Sequence, residues 1–175
     1  MQHASDCATH NGPALPAGPC DCGDMDLRIQ RLKHADNLPV PYYGSDGAAG
    51  LDLAAAIDEP IAFWPGVRCM VPTGFAVEIP IGHVGLLAVR SSLSKHGIAL
   101  ANGVGIIDCD YRGEVLVNLR NFTDWTNEEA VPFVLNRGDR IAQLLIIPVL
   151  RPRVLEEATL SDTARGAGGF GSTGA

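Results

Sequence analysis

Glu114-Val115-Leu116-Val117-Asn118-Leu119-Arg120 is the stretch that decides the fold class. Val115, Val117 and Leu119 alternate with Leu116, Asn118 and Arg120. That period of two belongs to a half-buried strand, because a helix needs apolar positions three and four apart. Outward from it, Leu27 and Ile29 alternate with Arg28 and Gln30, and strand-like runs lie at 50–56, 67–71, 74–79, 84–90, 97–101, 140–149 and 151–156. Phe75, Val77 and Ile79 are expected on one face of their run. Pro65-Gly66, Pro72-Thr73-Gly74, Asn102-Gly103 and Arg137-Gly138-Asp139 read as the turns between them. A helix of a turn or two is expected near 92–96. Twenty glycines and twelve prolines leave little room for longer ones. Many short, closely spaced strands predict an all-β architecture: a sandwich, a jelly roll or a closed barrel.

The 175 residues suffice for one domain with a real core. Hydrophobic residues at 46% and charged ones at 19% mark a folded, soluble chain rather than a disordered one. Thirteen Lys and Arg against twenty Asp and Glu give a formal charge of −7, which argues against a nucleic-acid or polybasic membrane surface. No apolar run approaches the ~18 residues of a membrane helix. Cysteines 7, 20, 22, 69 and 109 are odd in number and irregular in spacing, so a secreted disulfide framework is not expected. The N-terminus has neither an apolar signal core nor an arginine before Arg28, and a cytoplasmic location is the expectation. Residues 1–24 are rich in Pro, Gly and Ala and read as a disordered extension. Cys7, Cys20 and Cys22, with His3 and His10, could clasp a metal but match no zinc spacing.

Four segments could carry chemistry. Asn102-Gly-Val-Gly-Ile-Ile-Asp-Cys-Asp-Tyr-Arg-Gly-Glu114 sets Asp108 and Asp110 around a glycine-punctuated turn. A calcium loop fails here, because Arg112 and Leu119 occupy ligand positions. A plain hairpin with solvated acids remains open beside a general base, Asp108, next to an aromatic platform, Tyr111. In Val89-Arg90-Ser91-Ser92-Leu93 a strand ends in an arginine and two hydroxyls, which suits phosphate oxygens or an ordinary surface charge. Arg137-Gly-Asp-Arg-Ile-Ala-Gln143 reads in isolation as an exposed ion pair with a capping Asp. The glycine-rich end, Arg165 to Thr173, lacks the GK[ST] of a P-loop; it suits either a floppy tail or a lid in which Phe170 stacks on a base.

Together these segments resemble the trimeric deoxyuridine triphosphatases (dUTPases), whose five motifs occur in order. Ala49-Gly-Leu-Asp52, Arg90-Ser-Ser-Leu93, Gly105 to Glu114, Gly138-Asp-Arg-Ile-Ala-Gln143 and Arg165 to Gly174 are similar to motifs one to five. Two departures are Ser92, where the family commonly has Gly, and a stretch before Lys95-His96-Gly97 one residue shorter than usual. The related dCTP deaminases also use R-S-S-L, but their catalytic glutamate aligns with Asn118, an amide that cannot shuttle protons. A dUTPase-like regulatory protein without turnover is a further alternative, disfavoured because Asp108, Gln143 and the tail are present.

The resemblance implies a jelly-roll (β-clip) subunit, a homotrimer and sites shared between chains. It divides the chain into an extension at 1–24, a β core at 25–160 and a flexible lid at 161–175. The implied reaction is dUTP and water to dUMP and pyrophosphate, which limits uracil in DNA and supplies dUMP for thymidylate synthesis. Asp108 is the implied base. Uracil is expected on main-chain groups of Asn102, Ile106, Ile107 and Asp108, opposite Leu116, with Tyr111 against the deoxyribose. Arg90, Ser91 and Ser92 are expected on phosphates and Gln143 near the α-phosphate. Arg165, Ser172 and Thr173 would reach the γ end, Phe170 would lie over uracil, and Gly171 is expected to bind substrate beside it. The implied cofactor is Mg²⁺, held mainly by the phosphates, with Asp52 reaching it only through water. No nucleic-acid or membrane partner is expected.

Overall fold

The computed structural model describes residues 26–124 and 131–169. Eleven strands and one short helix occur among them. In chain order they are β1 (Arg28–Arg31), β2 (Tyr42–Tyr43), β3 (Leu51–Ala54), β4 (Ile61–Phe63), β5 (Arg68–Glu78), β6 (His83–Val89), α1 (Ser91–Ser94), β7 (Ile98–Leu100), β8 (Gly105–Ile107), β9 (Glu114–Asn121), β10 (Phe133–Leu135) and β11 (Arg140–Pro148). A four-stranded sheet has the order β1-β5-β9-β7, a five-stranded sheet the order β2-β3-β11-β6-β8, and β10 pairs with β4. Every described strand pairing is antiparallel.

The alternation in β9 is realised as read. Val115, Val117 and Leu119 are fully buried, while Leu116 and Arg120 face out. They meet Leu51, Leu53, Leu87, Ile107 and Leu144 from the other sheet in one cluster, so the two sheets share a core as layers of a sandwich. Non-directional burial of this kind drives the fold, at roughly 1.5–3 kcal/mol per fully buried Val or Leu. Of the 74–79 run, Val77 and Ile79 join that cluster, whereas Phe75 packs in a smaller one with Ala35, Leu38 and Ala56.

Two expectations are corrected. Pro72-Thr73-Gly74 is not a turn between two strands but a bulge inside β5, where Thr73, Gly74 and Phe75 oppose Val115 alone. Gly74 stands at φ +74° and lies so close to Ala35 that a Cβ would not fit, while Thr73 Oγ1 donates to Val115 O at 2.7 Å in place of a ladder bond. The run 151–156 forms no strand: Pro152 lacks a donor, no strand among the described residues pairs with it, and every residue there is exposed. The short helix expected near 92–96 is present as a single turn, Ser91–Ser94. Strands β2, β4, β8 and β10 have only two or three residues, too few to show a period.

Candidate active site

Two groups of the expected residues assemble, at different places. The first lies where β8 turns toward β9. A cleft of about 240 Å³ is lined by Met70, Ile106, Ile107, Asp108, Tyr111, Glu114 and Leu116. Among the described residues β8 is the edge of its sheet, paired only with β6, so no described strand takes up its outer main-chain groups. Leu116 points out of β9, 39% exposed, because its neighbours Val115 and Val117 take the core face. Tyr111 is 42% exposed, and its Oη donates to Glu114 O at 3.0 Å across a turn that begins with Tyr111 N on Asp108 O. Asp108 is exposed, and among the described residues its carboxylate makes no hydrogen bond. Asn102 sits exposed in the β7–β8 turn, where Gly103 N donates to Leu100 O.

The second group surrounds Asp52, whose side chain is 1% exposed. A carboxylate so deep must be paired, since an isolated buried charge costs several kcal/mol. The register supplies the partners: Asp52 on β3 stands opposite Gln143 on β11. Gln143 Nε2 donates to Asp52 Oδ1 at 3.2 Å, Arg140 donates to Oδ2 at 3.1 Å, and Arg90, at the end of β6, closes the group with a bond to Oδ1. Two guanidiniums against one carboxylate leave a net positive cluster, suited to an anion. Ser91 and Ser92 follow as exposed residues of α1. Among the described residues Asn37 is the only non-glycine at positive φ, so the backbone at Ser92 makes no demand for glycine.

The family model described as dUTPase matches residues 36–174. The chain belongs to the dUTPase family. It is 52% identical over 151 residues to the deoxyuridine 5′-triphosphate nucleotidohydrolase of Rhizobium leguminosarum bv. trifolii (strain WSM2304), covering 85% of this chain and 93% of that protein. With the same enzyme of Rhizobium meliloti (strain 1021) it is 48% identical over 167 residues, covering 94% and 96%. The fold is similar to the Staphylococcus bacteriophage 80alpha dUTPase solved with dUPNHPP: TM-score 0.75, 28% identity, 86% of this chain and 99% of that one. A dUTPase from phage phi11 of S. aureus, described with a structural Mg(II) ion, matches with TM-score 0.66 and 25% identity over 77% and 97%. The dUTPase-like β-clip expected from the motifs is therefore the fold.

Within this dUTPase chain the cleft and the Asp52 cluster are not joined: among the described residues no hydrogen bond runs between them. Arg165 lies exposed in a local turn, its Nε donating to Gly168 O at 2.8 Å. Phe170, Gly171, Ser172 and Thr173, like Cys7, Cys20 and Cys22, lie outside the described residues. Sequence reasoning missed Glu114 and Met70 as cleft residues. The reading of Asp139 as a cap holds, since its Oδ2 accepts from Asn136 N at 2.8 Å. The reading of Arg140 as a surface ion pair does not, because its partner is the buried Asp52, 88 positions away. At Asn118, Oδ1 accepts from Arg68 Nε at 3.0 Å. No helix among the described residues is long and apolar enough to cross a membrane.

Proposed function

We propose that this chain hydrolyses dUTP to dUMP and pyrophosphate, with Asp108 as the base. The observation that carries the reading is Asp108 itself, a carboxylate with no hydrogen bond among the described residues at the rim of the cleft formed by edge strand β8, Tyr111 and Leu116. The edge of β8 offers main-chain donors and acceptors that can match uracil O2, N3–H and O4 while refusing a different base pattern. At about 240 Å³ the cleft is below the roughly 300–1,000 Å³ of pockets for larger ligands, which suits a nucleoside with its phosphates outside. Tyr111 would pack on the deoxyribose. Asp108 takes a proton from water, the water oxygen forms a bond to the α-phosphorus in line, and the bond to the pyrophosphate oxygen breaks.

Arg90, Ser91 and Ser92 would grip phosphates, with Gln143 near the α-phosphate. Asp52 keeps Arg90 and Gln143 in place and would meet a cation only through water. Among the described residues no three His, Cys, Asp or Glu gather as a metal cage, and Asp52 is already paired. That donor set fits Mg²⁺ carried in by the triphosphate, where it would neutralise phosphate charge. A cytoplasmic enzyme limiting uracil in DNA follows from this reading.

A homotrimer with shared sites accounts for the separation of cleft and cluster. Its support is the outer face of the five-stranded sheet, where Ile106, Leu86 and Leu145 stand in one register row, apolar and not fully buried. An apolar row of this kind suits a second copy of the chain. Residues 161–175, with Arg165, Phe170, Gly171, Ser172 and Thr173, would close over the substrate as a lid. Pyrophosphate release measured in parallel with dUTP, dCTP, dTTP and UTP tests the whole reading. Release from dUTP alone is expected; ammonia from dCTP, or no turnover of any of the four, would overturn it.

A further inference from the structure

We propose that His34 and Glu114 form a clamp that positions Tyr111, and that His34 thereby sets how strictly the cleft refuses a ribose 2′-hydroxyl. The proposal rests on the nucleotide reading of the cleft and adds a residue from outside the family match, which begins at 36. His34 belongs to a single 3-10 turn, Lys33–Ala35, that is pinned from several sides. Arg31 donates to Ala35 O at 2.6 Å and Leu38 O at 2.7 Å, and Arg137 donates to His34 O at 2.7 Å and Asp36 O at 2.9 Å. Leu32 N donates to Gly74 O at 2.9 Å, tying the turn to the β5 bulge, and Ala35 is fully buried against Gly74. The turn thus presents the His34 ring from a fixed backbone.

That ring meets Glu114, one of the residues lining the cleft. His34 Nε2 donates to Glu114 Oε1 at 2.8 Å, and the same oxygen accepts Gly74 N at 2.6 Å. A long, unbranched side chain loses its rotamer freedom when one oxygen is held by two donors on separate elements. Glu114 in turn holds Tyr111, whose Oη donates to its carbonyl. The Tyr111 ring lies against Gly113, where a Cβ has no room, and its hydroxyl is tied to the main chain of Glu114 at the head of β9. The clamp also separates two carboxylates in one cleft. Glu114 is engaged by two donors, and Asp108 remains the one available for proton transfer.

The test uses the full chain, comparing wild type with His34→Ala, His34→Gln and Tyr111→Phe. Steady-state kinetics with dUTP and UTP are run beside calorimetric binding of dUMP and UMP. His34→Ala is expected to lower the dUTP-over-UTP ratio of kcat/KM about three- to tenfold, the size of one lost hydrogen bond, with the loss carried by KM more than by kcat. His34→Gln, whose amide can donate to Glu114, restores most of it. Tyr111→Phe, which keeps the ring and loses the tie, narrows the ratio as His34→Ala does. A lower melting temperature with the ratio unmoved means that His34 is merely structural, and the clamp is wrong. If His34→Ala does not fold, an unchanged ratio in Tyr111→Phe overturns it equally. A wild type inert toward dUTP defeats the proposed function, yet its dUMP-over-UMP binding ratio still decides the clamp. Binding of neither monophosphate defeats both.

Discussion

The carboxylate of Asp52 is almost sealed from water and meets two guanidiniums and an amide, whereas that of Asp108 faces solvent at the rim of a cleft. Those settings assign different tasks to one side-chain type. Replacing Asp108 by Asn keeps shape and removes basicity, so kcat should fall about 10²–10⁴-fold while binding of a non-hydrolysable dUTP analogue barely changes. Turnover within threefold of wild type would remove Asp108 as the base. Asp52→Asn acts otherwise, because one amide cannot hold both arginines and Gln143. It should raise KM for dUTP and lower stability by about 1–3 kcal/mol, measured by denaturant titration. Half-saturation by Mg²⁺ should move less than KM does. The opposite order would make Asp52 a direct metal ligand.

Strands with apolar alternation or clear flanking turns were legible, β1, β3 and β7 among them, whereas β2, β4, β8 and β10 were not. Strands β5, β6, β9 and β11 carry enough alternation to be read, although β5 was read as two strands because Pro72-Thr73-Gly74 has the composition of a turn. A bulge and a turn use the same positive-φ glycine; the difference lies in whether a partner strand continues alongside, here β9. Because Leu119, flanked by Cys69 on β5 and Leu100 on β7, has no exposed surface, Leu119→Ala should cost about 2–5 kcal/mol. The melting temperature should fall, and kcat at a permissive temperature should hold. Chain beyond β11 behaves oppositely, since residues 150–165 are exposed and outside any strand. Truncation after Ala164 should leave the melting temperature nearly unmoved, and turnover should collapse if the removed tail closes the site. A truncated enzyme of full activity would rule out the lid.

At the scale of the whole molecule, a single chain carries a nucleoside-sized cleft and a separate positive cluster. Shared sites make a prediction that no single-chain reading shares. A chain truncated after Ala164 and an Asp108→Asn chain should each be inactive, yet regain dUTP hydrolysis when co-refolded. In mixed trimers an intact Asp108 can meet an intact tail from another chain. Subunit exchange is confirmed by mass and activity by pyrophosphate release. Confirmed mixing without recovery would place base and tail on one chain.

By itself the sequence determined the fold class, because alternation along a strand records directly which face is apolar. It also determined the family, since five short motifs keep their residue types and order. The tertiary structure alone decided which side chains meet. Asp52 and Gln143 lie 91 positions apart, and His34 and Glu114 lie 80 apart. Local periodicity carries no information on which strand will lie beside which. Glu114 shows the consequence: in the sequence it is one polar residue at a strand start, and only the β5 bulge and the 3-10 turn packed on it give it two donors. Register is settled by pairing and packing across the sheets, where a slip of one residue would turn every side chain to the other face.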